Sequence, residues 1–287
     1  MRQLLFSIAY RMLGSVAEAE DVVQEAYLRR QTAGELSNER AWMTTVVARL
    51  AIDVLRSARV RREAYVGSWL PEPLVEDSAP AAVESEEAVS LAMLVLLERL
   101  SPVERAVFVL RESFDLGFDE IAAIVDRSED NCRQILSRAR RRLGDERPRF
   151  DADPGERRAL AARFLAAARE GDLAGLVAVL APDAVLVGDG GGRARSIPRP
   201  MVGAEAVGRA MATFYGQVER LGVTLEPIWV NGQPGFRTVG PDGRLVNVVA
   251  LDIRDGRVAM IHSVLNPEKL GHLGPLSDLG LRPSARK

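Results

Sequence analysis

Phe118-Asp-Glu-Ile-Ala-Ala-Ile-Val-Asp-Arg-Ser-Glu-Asp-Asn-Cys-Arg-Gln-Ile-Leu-Ser-Arg-Ala-Arg-Arg-Arg142 reads as two short helices joined by a tight turn. Ile121, Ile124 and Val125 form the apolar stripe of the first helix, and Cys132, Ile135, Leu136 and Ala139 that of the second. Asp126-Arg127-Ser128 leaves room only for a turn, with Ser128 placed to cap the second helix. Once the apolar stripe is buried, Asn131, Arg133, Gln134, Ser137, Arg138 and Arg141 share the outward face. Amide, hydroxyl and guanidinium groups at that spacing suit base edges and phosphates in a major groove. Glu129 and Asp130 favour the helix dipole but repel phosphate. Cys132 reads as a small buried hydrophobe.

Upstream, Ser101-Pro102-Val103-Glu104 combines an N-cap, a proline at the first helical position and a capping-box acid, so a helix starts there. Residues 1–64 read as helical throughout. Ser15 and Glu18 form a second capping box, and Trp42, Met43, Val46, Val47, Leu50 and Val54 repeat at helical spacing over 39–62. Charge falls in blocks. Arg40 to Arg62 holds six arginines against Asp53; Tyr65 to Glu87 holds six acids and no base; Asn131 to Arg142 holds five arginines and no acid. Two basic helical regions are thus separated by an acidic, proline-bearing linker over 65–87. Past Arg147 the texture changes. Helices are predicted over 153–170 and 203–220, and strands over 183–188, 223–231, 234–240, 244–254 and 257–265, with hairpin turns at 241–243 and 255–256. That is an α+β unit, followed by a Gly- and Pro-bearing tail over 271–287 expected to be flexible.

The 287 residues are 47% hydrophobic and 27% charged, enough apolar material for folded cores over two or three units. A net charge of −2 excludes coating of nucleic acid by bulk charge, so DNA contacts must come from local patches. One cysteine and two histidines build neither a disulfide framework nor the usual zinc sites, and no metal or cofactor is expected. No apolar run approaches a membrane span and no signal-peptide pattern opens the chain, so a cytoplasmic protein without membrane attachment is expected. Of the 38 basic residues only Lys269 and Lys287 are lysines.

Ile8-Ala-Tyr-Arg-Met-Leu-Gly-Ser-Val-Ala-Glu-Ala-Glu-Asp-Val-Val-Gln-Glu-Ala-Tyr-Leu-Arg29 resembles the core-binding region of bacterial extracytoplasmic-function sigma factors, of the sigma-70 family. Ala41 to Arg59 is similar to that family's promoter-melting, −10-reading helix. Leu100 to Arg111 and the helix-turn-helix resemble its −35-reading domain. The resemblance implies two all-α domains, 1–64 and 88–147. It assigns RNA polymerase core binding, on the clamp helices of β′, to Asp21, Gln24, Glu25 and Leu28, which fall on one helical face. It assigns −10 DNA to Arg40, Arg49, Asp53, Arg56, Arg59 and Arg62, with Asp53 alternatively holding the arginines in place. It assigns −35 DNA to the outward face of the second helix, and a further polymerase contact to the β flap. The implied state outside the holoenzyme is a monomer. The chain begins almost at the Ile8-Ala-Tyr-Arg motif, so relative to the family the first helix is expected to lack roughly two turns, either because the true start lies upstream or because the helix is short and its polymerase contact weakened. Asp126 stands where relatives have glycine, and aspartate tolerates the left-handed conformation that the turn needs.

Residues 153–270 resemble the SnoaL-like fold, a curved antiparallel sheet wrapped with helices around a conical pocket. Tyr65-Val-Gly-Ser-Trp-Leu-Pro-Glu-Pro73, Gly188-Asp-Gly-Gly-Gly-Arg193 and Asn266-Pro-Glu-Lys-Leu270 resemble segments of a sigma subgroup whose C-terminal extension is a built-in regulator. The resemblance implies a regulatory role for Trp69, Leu70, Pro71, Asp189, Arg193, Asn266, Pro267, Lys269 and Leu270. An aromatic such as Trp69 in an acidic linker is an anchor seeking a pocket, expected in the C-terminal domain. The glycine loop fits neither the dinucleotide nor the Walker spacing and reads as a wide loop. Asp252 and His262 could form an acid–base pair inside the cone, or be a core histidine and a carboxylate near a turn. The expected function is therefore a sigma factor with a fused regulatory domain, with an unknown small ligand in the cone as a further partner. Its rivals are a ligand-responsive helix-turn-helix regulator and a SnoaL-like isomerase or hydrolase. No catalytic activity is expected.

Overall fold

The computed structural model describes residues 1–77, 89–144, 153–216 and 219–281, without the side chains of residues 58–63 and 219. The chain divides into two compact units: 1–64 with 93–147, and 65–92 with 148–287.

In the first unit, helices α1 (Arg2–Leu13), α2 (Val16–Thr32) and α3 (Glu39–Glu63) pack on one another around Leu5, Ile8, Met12, Val23, Met43 and Val47, all buried. Gly14 ends α1 in the left-handed region, at φ 68°, and the Ser15 hydroxyl accepts the Glu18 amide at 3.2 Å, so α2 restarts one residue later. The second set is α4 (Leu91–Leu97), α5 (Pro102–Glu112), α6 (Phe118–Val125) and α7 (Glu129–Leu143). The predicted capping box opens α5: Glu104 N–H donates to Ser101, and the Ser101 N–H donates to the Glu104 carboxylate at 2.9 Å. Asp126 takes φ 56° at the turn between α6 and α7, the left-handed residue the sequence required there, and Ser128 caps α7. Arg105 of α5 is buried, paired with Glu98, and donates to the Arg11 carbonyl of α1 at 3.5 Å. Burial pushes its pKa down to about 9.

The second unit holds α8 (Pro154–Glu170), α9 (Leu173–Val179) and α10 (Ala204–Tyr215) against a seven-stranded sheet. Its strands are β1 (Val75–Glu76), β2 (Leu180–Asp189), β3 (Met201–Val202), β4 (Thr224–Val230), β5 (Gln233–Val239), β6 (Leu245–Arg254) and β7 (Arg257–Val264), in spatial order β1-β4-β5-β6-β7-β2-β3. The sheet is mixed where an antiparallel one was expected, because β2 lies parallel to β7. A chain that leaves β2, forms α10 and then runs a meander of four strands returns to the β2 edge in that sense. β1 was also not foreseen: linker residues Val75 and Glu76 pair with Val230 and Trp229 and extend the sheet at its edge. Phe164, Leu176, Leu186, Val207, Phe236, Val249 and Ile261 belong to one core between the helices and one face of the sheet. The helix predicted over 203–220 ends at Tyr215, and a short 3-10 turn, Glu219–Leu221, lies beyond it. The tail is not loose where it is described, since Leu276 bridges to Leu245 and Leu281 to Ala194. The acidic stretch 78–88 and residues 145–152, 217–218 and 282–287 lie outside the described residues.

Candidate functional site

On α7, Asn131, Arg133, Gln134, Ser137, Arg138 and Arg141 are all exposed, while Cys132, Ile135, Leu136 and Ala139 are buried. Their states differ. Arg133 pairs with Glu129 and Asp130, both at 2.9 Å, and stacks over Phe118 at 5.0 Å, so the acids at the helix start engage this arginine. Arg140 and Arg142, not assigned to DNA, pair with Glu112 and Glu104.

On α3, Arg40 is exposed and Asp53 pairs with Arg56 at 2.9 Å. Arg49 behaves otherwise. Its guanidinium donates to the carbonyls of Ala123 (2.7 Å) and Ile124 (3.1 Å), capping the C-terminus of α6, where a cation meets the negative end of the helix dipole. The side chains of Arg59 and Arg62 lie outside the described residues. On α2, Asp21, Gln24 and Leu28 are exposed and Glu25 is half-buried, bound to Arg29 at 2.8 Å. Leu28 keeps 51% of its surface exposed beside these acids.

In the second unit the three segments that carry Trp69, Asp189 and Lys269 meet. Asp189, at the end of β2, is fully buried, and its carboxylate accepts from four donors. These are Tyr65 Oη–H (2.6 Å), the Leu70 amide (2.8 Å), the Gly191 amide (3.0 Å) and Lys269 Nζ (2.6 Å). Lys269, on the one-turn helix α11 (Pro267–Leu270), also donates to the Leu70 carbonyl. Its ammonium lies over the rings of Trp69 (4.2 Å) and Tyr65 (4.8 Å), so Trp69 holds a cation against its face. Asn266 caps α11 through Glu268 N–H and donates to Tyr65 Oη at 2.8 Å; Arg193 pairs with Glu268 at 2.6 Å. The glycine loop serves this junction by close approach: a Cβ on Gly191, at φ 55°, would sit 2.3 Å from the Asn266 side chain. Leu70 and Leu270 are buried beside it, and Pro71 and Pro73 carry the linker onward. Burial, then the Asp189 hydrogen bond and charge, push the Tyr65 phenol far above its ordinary range.

Sequence reading missed several members of this junction. Tyr65 and Glu268 lie within the family-like segments without being singled out. Asn231 lay outside them, yet its Oδ1 accepts from Leu74 N–H (3.0 Å) and its Nδ2 donates to the Val89 carbonyl (3.1 Å). The Asn231-Gly232 pair, both at positive φ, is a hairpin signal that the sequence reading did not use. His272 Nε2 lies 2.9 Å from the Pro73 carbonyl oxygen. Asp252 and His262 require correction. They lie 2.9 Å apart and buried, but on the face of β6 and β7 opposite the core, because Val249, Leu251 and Ile261 take the core-facing positions. They do not point into the cone.

Comparison with known proteins fits this geometry. Residues 1–61 match Sigma-70 region 2, 90–143 match Sigma-70 region 4, and 161–261 match the SnoaL-like domain. Over its full length the chain is 38% identical to the ECF RNA polymerase sigma factor SigJ of Mycobacterium tuberculosis, covering 96% of that protein. The chain belongs to the ECF sigma factors. It is also 34% identical, over 95% of its length and 93% of the relative's, to the probable ECF RNA polymerase sigma factor SigI of the same species. The crystal structure of M. tuberculosis SigJ superposes with a TM-score of 0.76, covering 96% of this sigma factor and 97% of SigJ. The helical unit is therefore a pair of sigma domains, and the second unit a SnoaL-like domain joined by the inter-sigma linker. Among the described residues no helix is long and apolar enough to cross a membrane.

Proposed function

We infer that this sigma factor binds RNA polymerase core and directs initiation at promoters that carry separate −35 and −10 elements, and that its C-terminal domain governs when it does so. The observation that carries the first part is full-length similarity to ECF sigma factors in the order region 2, region 4, SnoaL-like domain. In this reading the exposed Leu28 with Asp21, Gln24 and Glu25 docks on the β′ clamp helices, α3 reads −10 DNA, and α7 reads −35 DNA while its domain contacts the β flap. Within the helical unit Arg49 of α3 is bound to α6, whereas elements about 25 base pairs apart lie roughly 85 Å apart along B-DNA. Both helices reach their elements only after that contact opens. The described conformation is, in this reading, the closed one, and the linker held at Asp189 is what keeps the tether between the sigma domains short. A small ligand of the cone is the partner through which that hold is adjusted.

The enzyme reading loses its candidates once Asp252 and His262 face away from the cone. The test of core binding is co-elution of the full-length protein with polymerase core. Glu25→Arg combined with Leu28→Ala should abolish the complex while leaving helix content unchanged; an undiminished complex contradicts the assignment.

A further inference from the structure

The SnoaL-like domain has a half-open cavity of about 240 Å³ between α10, the concave side of the sheet and the tail. Its walls are mostly apolar, among them Leu186, Met211, Val223 and Leu265, and Phe214 and Leu221 at its edge keep 55% and 56% of their surface exposed. Among the described lining residues Arg195 alone is charged, and it is exposed. A cavity of about 150 Å³ takes benzene, so this one takes on the order of ten non-hydrogen atoms.

One wall is polar and built. Asn247 of β6, 4% exposed, donates through Nδ2 to Tyr215 Oη and to Ser263 Oγ, both at 3.2 Å. Those two bonds hold the amide in place against the wall. Its Oδ1 is left buried with no hydrogen-bond partner, and so is Ser196 Oγ on the same cavity. The Tyr215 phenol lies against the hydroxyls of Thr238 and Ser263. A buried acceptor without a donor is costly, and native proteins leave few. A cluster of waters meets mainly hydrocarbon here, whereas one hydroxyl group on an apolar ring both donates to Asn247 and accepts from a neighbouring hydroxyl.

We propose that this cavity is a binding site for a small, uncharged, aromatic or alicyclic alcohol or phenol of one or two rings, oriented by Asn247. The tail closes the site: Leu279 and Gly280 line it, and Leu281 bridges to Ala194. Arg195 N–H donates to the Gly280 carbonyl at 2.8 Å, on the chain that leads from the Asp189–Arg193 loop. Occupancy of the cavity and the loop that holds the linker are therefore neighbours in one unit. The proposal rests on the regulatory reading for what binding does, and not for whether binding occurs.

The probe is 2-naphthol, titrated into full-length protein and followed by its own fluorescence, against naphthalene as the analogue without the hydroxyl. Saturation at one 2-naphthol per chain, with naphthalene at least about tenfold weaker, is expected, because without the hydroxyl Asn247 stays unpaired. Asn247→Leu should bring the two affinities within about threefold. Leu221→Trp, at an exposed rim position, should block entry without unfolding the domain. Absence of saturable binding, equal affinity of wild type for both probes, or binding that survives Leu221→Trp overturns the site. Binding that leaves promoter-specific transcript yield unchanged overturns the regulatory half alone.

Discussion

Replacing Asp189 by asparagine should free the linker without unfolding the domain that holds it. The carboxylate accepts from four donors and neutralises Lys269, which is itself buried. In Asp189→Asn one oxygen becomes an amide donor facing other donors, and the Lys269 ammonium loses its counter-charge in a dry site. Breaking one side of a buried ion pair costs about 3–5 kcal/mol. Little of that falls on the core around Phe164 and Phe236, which makes no bond to this carboxylate. At about 1.4 kcal/mol per tenfold, the linker should therefore open on the order of 10²–10³ times more often. Hydrogen exchange resolved by residue reads this directly. The Leu70 amide, bound to Asp189, and the Asn231 amide, bound to the Leu74 carbonyl at 2.9 Å, should exchange faster by about that factor, with the Val249 and Ile261 amides unchanged. Lys269→Met added to Asp189→Asn should restore part of the protection, since removal of both charges leaves neither stranded. Leu70 protection within about threefold of wild type refutes the reasoning. So does an equal loss at Val249, which would mean the whole domain had been destabilised.

Local geometry sets three further outcomes. Because Arg133 is held by Glu129, Asp130 and Phe118, Arg133→Ala should weaken −35 binding by holoenzyme less than Arg138→Ala or Arg141→Ala. Each of the latter should lower the salt slope of binding by about one, and equal slopes for all three variants contradict this. The Tyr65 phenol is raised above its ordinary value of 10.0 by burial and Asp189, so the fold retains its proton. Its contribution to stability is complete below about pH 10 and is lost as pH rises through the higher folded value. In absorbance titration at 295 nm, Tyr65→Phe should remove no phenolate signal below about pH 11, and loss of a full tyrosine's signal near pH 10 contradicts the buried hub. Ser101→Ala removes the α5 capping box and should cost about 1 kcal/mol in urea unfolding followed at 222 nm, against no change if the cap is idle.

Helices whose signals are local were legible from the amino acids alone. The Ser15 and Ser101 caps, the Asp126 turn and the division of α7 into apolar and basic faces all depend on residues within a turn or two. β1 was not legible, because two residues carry no period and become a strand only by pairing with Val230 and Trp229. Nor was the facing of Asp252 and His262. Val248–Leu251 of β6 is apolar and buried on both faces, and on β7 the polar His262 and Ser263 are adjacent and so take opposite faces, so alternation gave no parity by which to choose the core side. The meeting of Trp69, Asp189 and Lys269 could be grouped by resemblance but not given its chemistry. The carboxylate at its centre sat in a glycine loop that invited thoughts of phosphate, and its partners are 119, 124 and 80 residues away. Arg49 shows the converse: a residue aligned with the DNA-facing set is bound, in this conformation, to the end of a helix in the other sigma domain.

Run-off transcription with purified RNA polymerase core on templates carrying varied −35 and −10 elements is the most direct test. Discrete, promoter-dependent transcripts should appear only when core and full-length protein are both present, and their yield should change when Asp189→Asn frees the linker. Transcripts absent with both components, or identical with core alone, would contradict a sigma factor; an Asp189→Asn yield equal to wild type would contradict control through the docked linker.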